Sequence, residues 1–375
     1  MRIGSVKERK DFEQRVGIMP SHVIEYIKNG HEVYVEAGLG LGSGFTDKEY
    51  QSNGAIICDD AASVWKQSEM IIKVKEPIAE EYDLMQANQI LFTYLHLADN
   101  LPLAKALMER NITAVAYETV TDELGRSPLL KPMSEVAGRL SIQEGAKYLE
   151  KTYGGKGILL SGVPGVRGGH VVIIGGGVVG MSACKTALGT GATVSVMDRN
   201  LDRLAYIEDV FGTAVNTIYS DSKNIEDELR RADVVIGSVL LPGARAPKLV
   251  TRDHLKIMEP GTVLVDVAID QGGCFESSHP TTHSHPVFVE EGIVHYCVTN
   301  MPGAVPKTST YALGNATLPY ALKIANSGIH NAVMHDSGIK NGLNIFHGQV
   351  VNEAVAVALE LEFIEYENCV KVVQL

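Results

Sequence analysis

The stretch His170-Val171-Val172-Ile173-Ile174-Gly175-Gly176-Gly177-Val178-Val179-Gly180 limits what this chain can fold into more than any other segment. Its apolar run suits a strand covered on both faces, because a strand wet on one face would alternate. The turn reads Gly-x-Gly-x-x-Gly. Gly175 permits the tight turn, Gly177 lets a pyrophosphate approach the backbone, and Gly180 lets the following helix pack closely on the strand. That helix is expected from about Val178 to Leu188, with its N-terminal amides facing the phosphates. Gly191 and Ala192 close it, and Thr193 to Met197 reads as a second strand. Asp198 stands at the end of that strand, 18 residues after Gly180. A carboxylate there accepts both hydroxyls of an adenosine ribose and repels a 2′-phosphate, so NAD is expected rather than NADP. Arg199 next door is a residue able to tolerate a phosphate.

At 375 residues the chain exceeds one ordinary core, so two domains are expected. A formal charge of −12 argues against a nucleic-acid or acidic-membrane partner, either of which needs a basic surface. Cysteines 58, 184, 274, 297 and 369 are odd in number and lie far apart, which gives no disulfide framework and no zinc spacing. Cys184 and Cys297 sit in apolar runs and read as small core residues. No apolar run is long enough to cross a bilayer, and Met1-Arg2-Ile3-Gly4 starts directly as a strand without a signal-like region. The expectation is a reduced, soluble, cytoplasmic protein.

Short apolar runs alternate with amphipathic stretches over the first 130 or so residues. Strands are expected at Ile3 to Val6, Glu32 to Glu36, Ala55 to Ile57, Met70 to Val74, Gln89 to Tyr94 and Thr113 to Tyr117. Helices are expected between them, so the pattern is β-α-β with a parallel sheet. Gly38 to Gly44 is glycine-rich without a strand-to-helix frame and reads as a mobile surface loop. Met133 to Tyr153 reads as one long helix. After Asp198, strands at Ala214 to Ile218, Asp233 to Val239, Thr262 to Ala268 and Val294 to Val298 complete a six-stranded dinucleotide domain. Beyond Pro306 the pattern is helical, at Tyr311 to Ser327 and Asn352 to Leu361, with no strand signal. This tail is expected to pack back on the first domain. The expected fold is α/β, with two doubly wound parallel-sheet domains. Residues 1–130 and 306–375 form a substrate domain, residues 131–305 a Rossmann domain, and a cleft lies between them.

Ligands of open parallel sheets lie beyond the carboxyl ends of the strands. Lys75, His96 and Asp270 each follow a strand, and Arg15 lies in the loop after the first one. Each has a plainer reading. A loop arginine is usually a solvated charge, and a lysine before Glu-Pro a surface residue. A strand-end histidine is often structural, and Asp270 can simply start the turn into Gly272-Gly273. Their shared position at strand ends favours the functional reading. His279, His283 and His285 cluster in a proline-broken segment without cysteine or helical spacing, which reads as a surface loop, and no metal is expected.

Several segments together resemble the alanine dehydrogenase family. They are Glu13-Gln14-Arg15-Val16, Val74-Lys75-Glu76-Pro77, Tyr94-Leu95-His96-Leu97-Ala98, Ala116-Tyr117-Glu118-Thr119 and Pro132 to Gly138. The glycine turn, Asp266 to Gly273, Asn300 to Pro306 and Thr308-Ser309-Thr310 follow in order. The NAD-binding part of proton-translocating transhydrogenase shares the fold and the Asn-Met-Pro-Gly segment. The resemblance implies reversible oxidative deamination of L-alanine to pyruvate and ammonia, by hydride transfer to NAD and imine hydrolysis, in a homohexamer. It implies that Arg15 and Lys75 hold substrate and that His96 and Asp270 are the catalytic pair, with the primary base left open between them. It also implies cofactor contacts from Ser134, Gly175, Gly177, Val178, Val179, Gly180, Asp198, Arg203, Ser220, Val239 and Leu240. Val267, Ala268, Ile269, Asp270, Val298, Thr299, Asn300 and Met301 complete that set. Position 203 is often lysine in the family, and arginine keeps the charge. His279 stands where many members carry arginine. Two other readings stay open: the soluble component of a transhydrogenase, and a non-catalytic NAD-binding protein.

Overall fold

A computed structural model describes residues 1–239 and 246–373 of the chain. Its strands, in chain order, are β1 (Arg2–Ser5), β2 (Glu32–Glu36), β3 (Ile56–Cys58), β4 (Met70–Ile72), β5 (Ile90–Thr93), β6 (Thr113–Ala116), β7 (His170–Ile174) and β8 (Thr193–Asp198). They continue as β9 (Val215–Tyr219), β10 (Val234–Gly237), β11 (Val263–Asp266), β12 (Val287–Glu290), β13 (Ile293–Tyr296), β14 (Leu343–Phe346) and β15 (Gln349–Val350). Backbone contacts divide the chain into two compact units, Met1–Met133 with Val305–Leu375, and Ser134–Ala304.

The first unit holds a sheet in the order β15-β14-β6-β5-β4-β1-β2-β3. Strands β1 to β6 run parallel, and β14 and β15 extend the β6 edge antiparallel. The tail therefore contributes strands where only helices were expected. Leu343 and Ile345 pair with Val115 and Ala114 of β6 across a register shift. The buried Asn344 amide between them donates to Thr119 Oγ1 and the Gly342 carbonyl. The tail's long helix, Pro306–His335, is interrupted at Gly328, whose φ is +74°. On one side of the sheet, Ile71, Leu91 and Ala114 pack with Trp65, Leu103, Leu107 and Val355 from three helices. Burying a side chain of that size contributes about 1.5–3 kcal/mol relative to leaving it exposed.

The second unit holds a sheet in the order β12-β13-β11-β10-β7-β8-β9. Its strands are parallel except β12, an antiparallel edge strand absent from the sequence expectation. Val172, Ile174, Val235 and Leu264 meet Ile225, Leu229, Leu255 and Phe275 in its core. Cys184 and Cys297 are fully buried, as read from their apolar surroundings. The expected Met133 to Tyr153 helix runs Lys131–Tyr148, and a separate turn of tighter helix follows at Lys151–Tyr153. Gly138 on it faces the helix Val178–Thr190, where a Cβ would meet the Val179 carbonyl at 2.2 Å.

Candidate active site

In the second unit, β7 ends at Ile174 and the helix Val178–Thr190 begins after only three residues. Gly175 has φ +108°, a backbone open to glycine and costly for other residues. A Cβ on Gly180 would stand 1.9 Å from the Gly175 carbonyl oxygen, so this glycine lets the helix close on the turn. A Cβ on Gly177 would meet nothing within 4 Å. The space above Gly177 belongs to no side chain of this unit, and the helix N-terminus beside it carries no side-chain cap. Unpaired amides at a helix start with an open glycine in front suit an anion, so the residues present fit a dinucleotide pyrophosphate. Val178 is exposed there and Val179 half-buried.

The turn is braced from three sides. Asp198, ending β8, accepts from Gly176 N at 2.7 Å and Asn200 N at 2.9 Å. Ser238 Oγ, just beyond β10, donates toward the carbonyls of Ile174 and Gly175. Arg203 Nε donates to the Gly176 carbonyl. Ser220, after β9, hangs its N–H on the Asp198 carbonyl at 3.0 Å. The strand order reverses between β7 and β10, so the crevice at the carboxyl ends of these two strands is the switch point where such sheets hold nucleotides. Val239 lies there, and Leu240 falls outside the described residues.

The strand β11 is shorter than expected and ends at Asp266. Val267 and Ala268 form the following turn, and Ile269, Asp270 and Gln271 a single turn of tight helix. Asp270 is exposed. Val298 follows β13, then Thr299, Asn300 at φ +56° and the buried Met301. Two of the three loop histidines have different neighbours. His279 stacks on Phe288 with centroids 3.8 Å apart, and His283 Nε2 lies 3.3 Å from the Asn300 carbonyl.

In the first unit the matching reversal lies between β1 and β4. Here β1 is followed by a long loop, Val6 to Met19, which carries Arg15. A Cβ on Gly17 would meet the Ile72 carbonyl at 2.3 Å, so this loop closes directly onto the end of β4. Arg15 is 2% exposed. Its Nε donates to Glu13 Oε1 at 2.7 Å, its Nη2 to Glu13 Oε2, and its Nη1 to Met133 Sδ at 3.0 Å. Burial opposes the guanidinium charge, and Glu13 more than restores it. Glu13 thus occupies the Nε–Nη2 edge of the Arg15 guanidinium. Lys75, half-buried, follows β4. The expected mobile loop Gly38 to Gly44 is instead packed, with Leu39 and Ser43 buried. Ser43 Oγ donates to the Gln14 carbonyl at 2.8 Å and lies 2.9 Å from Thr310 Oγ1, which fixes the Arg15 loop from below.

Beneath these residues sits a buried charge cluster that no local sequence pattern announced. Lys73 Nζ, fully buried, lies 2.9 Å from Glu81 and 3.3 Å from Glu8. Glu8 also accepts from Val74 N at 2.6 Å, one residue before Lys75 and just beyond the end of β4. Burial pushes the Glu8 carboxyl up, against the pull of Lys73.

His96 follows β5 in a left-handed backbone conformation, φ 47° and ψ 41°. Its N–H and that of Leu95 both point at the Glu118 carboxylate, at 2.6 Å and 3.2 Å. Its ring is exposed and lies parallel to that of Tyr94, centroids 5.8 Å apart. The Tyr94 phenol donates to the Leu129 carbonyl at 2.6 Å, and burial pushes its pKa up. The structure thus gathers Arg15, Lys75 and His96 at the carboxyl ends of β1, β4 and β5. It adds Glu13 and Glu118, which lie in segments quoted from the sequence but were given no part there. Glu13 stands two residues from Arg15, the one local hint of their pairing.

Two family models cover most of the chain: "Alanine dehydrogenase/PNT, N-terminal domain" over residues 4–137 and "Alanine dehydrogenase/PNT, C-terminal domain" over residues 141–353. The chain is 53% identical over 369 residues to an alanine dehydrogenase of Methanococcus maripaludis, covering 98% of this chain and 99% of that one. It is 52% identical over 373 residues to an alanine dehydrogenase of Bacillus subtilis, covering 99% and 98%. A solved L-alanine dehydrogenase superposes with a TM-score of 0.94 at 50% identity, over 96% of this chain and 99% of the other. A transhydrogenase structure from Sinorhizobium meliloti matches with a TM-score of 0.82 at 23% identity over 94% and 100%, a likeness of fold alone.

Proposed function

The chain belongs to the alanine dehydrogenase/PNT family, and from that premise we propose that it is an NAD-dependent L-alanine dehydrogenase, interconverting L-alanine with pyruvate and ammonia. The observation that carries this reading is the identity of about half, sustained over nearly the whole chain, with curated alanine dehydrogenases. The family also implies a cytoplasmic homohexamer.

NAD would be held by Gly175, Gly177, Gly180 and the amides of Val178 and Val179 at its phosphates and by Asp198 at its ribose. Ser134, Arg203, Ser220, Val239, the Val267 to Asp270 turn and the Val298 to Met301 loop complete the contacts. Bound there, it supplies the acceptor for the hydride that leaves the substrate α-carbon. The carboxylate of Asp198 supports NAD over NADP, since a 2′-phosphate would meet its charge.

The remaining chemistry falls to the chain's own side chains. Arg15 receives the substrate carboxylate as a charge-assisted pair of hydrogen bonds, and Glu13 keeps the guanidinium from swinging away. Lys75 brings a compact cation to the carbonyl oxygen of pyruvate and draws electron density toward it. Water must add to the imine carbon and ammonia must leave, which requires a group that takes a proton and gives it back near neutral pH. The His96 imidazole nitrogen suits that task, and a carboxylate oxygen of Asp270 is the second proton carrier. Glu118 fixes the left-handed turn from which His96 projects.

Near-ultraviolet absorbance of NADH, followed with NAD and L-alanine, tests the proposal, with glycine, serine and lysine run in parallel. Alanine-dependent NADH formation is expected, at least about tenfold more efficient with NAD than with NADP. NAD binding without alanine-dependent reduction would defeat it.

A further inference from the structure

The loop that carries Asp270 is held from both sides by two side chains with no part in the chemistry above. Asp266, fully buried at the end of β11, accepts from Cys274 N at 3.1 Å, Phe275 N at 3.2 Å and Ser278 Oγ at 2.6 Å. Lys248 approaches the same loop with its ammonium and donates to the carbonyls of Gly272, Gly273 and Phe275, the last two at 3.0 Å. An ammonium has three protons, and three carbonyls of one short loop receive them. Gly273, at φ +78°, leaves no room for a side chain, since a Cβ would lie 2.5 Å from Asp266 Oδ2. Ala246 N and Leu249 N add bonds to the Gln271 and Cys274 carbonyls. The segment between β11 and Ser278 is thus pinned at its N–H groups by a carboxylate and at its C=O groups by a lysine, and the turn of Asp270 opens directly into the pinned residues.

Most surface lysines pair loosely with a carboxylate, at little gain. Here the ammonium is committed to backbone; burial pushes the Asp266 carboxyl up, against its hydrogen bonds from Ser278, Cys274 and Phe275 and the charge of Lys248. Such a clamp fixes where a side chain stands without touching substrate. Resting on the assignment of Asp270 to proton transfer, we propose that Lys248 and Asp266 are positioning residues for Asp270. They hold its turn in the one arrangement from which the carboxylate serves the reaction.

The test uses the full-length protein with K248M, K248R, D270N and K248M/D270N. K248M keeps an unbranched apolar stem and removes the three donors. We expect it to lower kcat roughly 10- to 100-fold, the scale of a displaced catalytic group. NADH affinity, read by fluorescence titration, should stay close to that of the parent. K248R, which keeps charge and donors, restores most of kcat. Hydrogen exchange should rise in the peptide spanning 267–278 of K248M and stay unchanged over 170–180. K248M added to D270N should cost little beyond D270N alone, because the clamp acts through that carboxylate. Parent-like turnover in D270N would overturn the role of Asp270 itself, whatever Lys248 does. With D270N impaired, an unchanged kcat or unchanged exchange in K248M, or losses that multiply in the double variant, would overturn the clamp.

Discussion

The two sheets of this chain share one plan, and the difference that most shapes their crevices lies in one connection. Each runs through six parallel strands in the doubly wound order, 3-2-1 on one side of the first strand's outer face and 4-5-6 on the other, and each is extended antiparallel beyond strand six. The difference lies after the first strand. In the second unit three glycines lead straight into a helix, so the crevice at the strand ends is lined by backbone N–H groups. In the first unit the long loop from Val6 to Met19 intervenes, and the equivalent crevice receives charged side chains. The consequence is visible in where charge is buried. The first unit seats Lys73 between Glu8 and Glu81 and Arg15 against Glu13, all at the carboxyl ends of its strands. In the second unit the pair of His170 and Glu228 lies at the opposite, amino end of β7, and the buried carboxylate at a carboxyl end, Asp266 of β11, is met by two backbone N–H groups and the Ser278 hydroxyl. Amides at a helix start need no counter-charge, whereas a guanidinium and an ammonium held rigidly need carboxylates beside them. On the proposed function, one strand order serves a dinucleotide in one unit and a small acid in the other, according to the length and composition of this loop.

The strongest way to break this division is at His96. His96→Asn keeps a residue that tolerates the left-handed backbone and removes the imidazole. Turnover should fall by about 10³-fold or more, with NADH affinity close to normal. Steady-state kinetics beside a fluorescence titration would check both halves. A matching loss of NADH affinity would mean that the two crevices do not separate the two tasks.

Lys73→Met attacks the foundation of the first crevice. Two carboxylates would then face each other without their shared cation, which costs about 3–5 kcal/mol. Urea unfolding should show that loss. Below the transition, alanine-dependent turnover should drop while NADH still binds at the glycine turn.

The second crevice was readable in the sequence because its parts are local. Gly175, Gly177, Gly180 and Asp198 belong to one β-α-β unit, and backbone needs dictate the residue types. The first crevice was readable only as strand ends. Arg15, Lys75 and His96 could be placed after their strands, but their partners Glu13 and Glu118 emerge only when the chain folds, since Glu118 reaches His96 from another strand's end. Lys248, whose partners lie 24 to 27 residues on, gave no signal at all. Strands β14 and β15 escaped because four and two residues carry too little alternation to stand out, and their pairing is specified by the exposed edge of β6. The glycine-rich Gly38 to Gly44 segment reads as a mobile surface loop in the sequence for a related reason. Glycines here permit close approach, with Gly40 against Phe45 and Gly42 against Gln14, and composition alone does not distinguish that from mobility.

The glycine turn itself offers a finer test, because two of its glycines do different work. Gly180→Ala puts a methyl group 1.9 Å from the Gly175 carbonyl, which must push the helix off the strand. A cost of about 1–3 kcal/mol in stability is expected, together with weaker NADH binding. Gly177→Ala puts its methyl where the chain has no atoms within 4 Å, at a φ of −67° that alanine adopts freely. The melting temperature should therefore stay at the parent value, while NADH affinity falls roughly tenfold, about 1.4 kcal/mol, because the methyl enters the space a pyrophosphate needs. Calorimetry and titration on the same two variants separate the effects. If Gly177→Ala bound NADH as the parent does, the phosphates would lie elsewhere, and the contrast between an amide-lined and a side-chain-lined crevice would lose its second term.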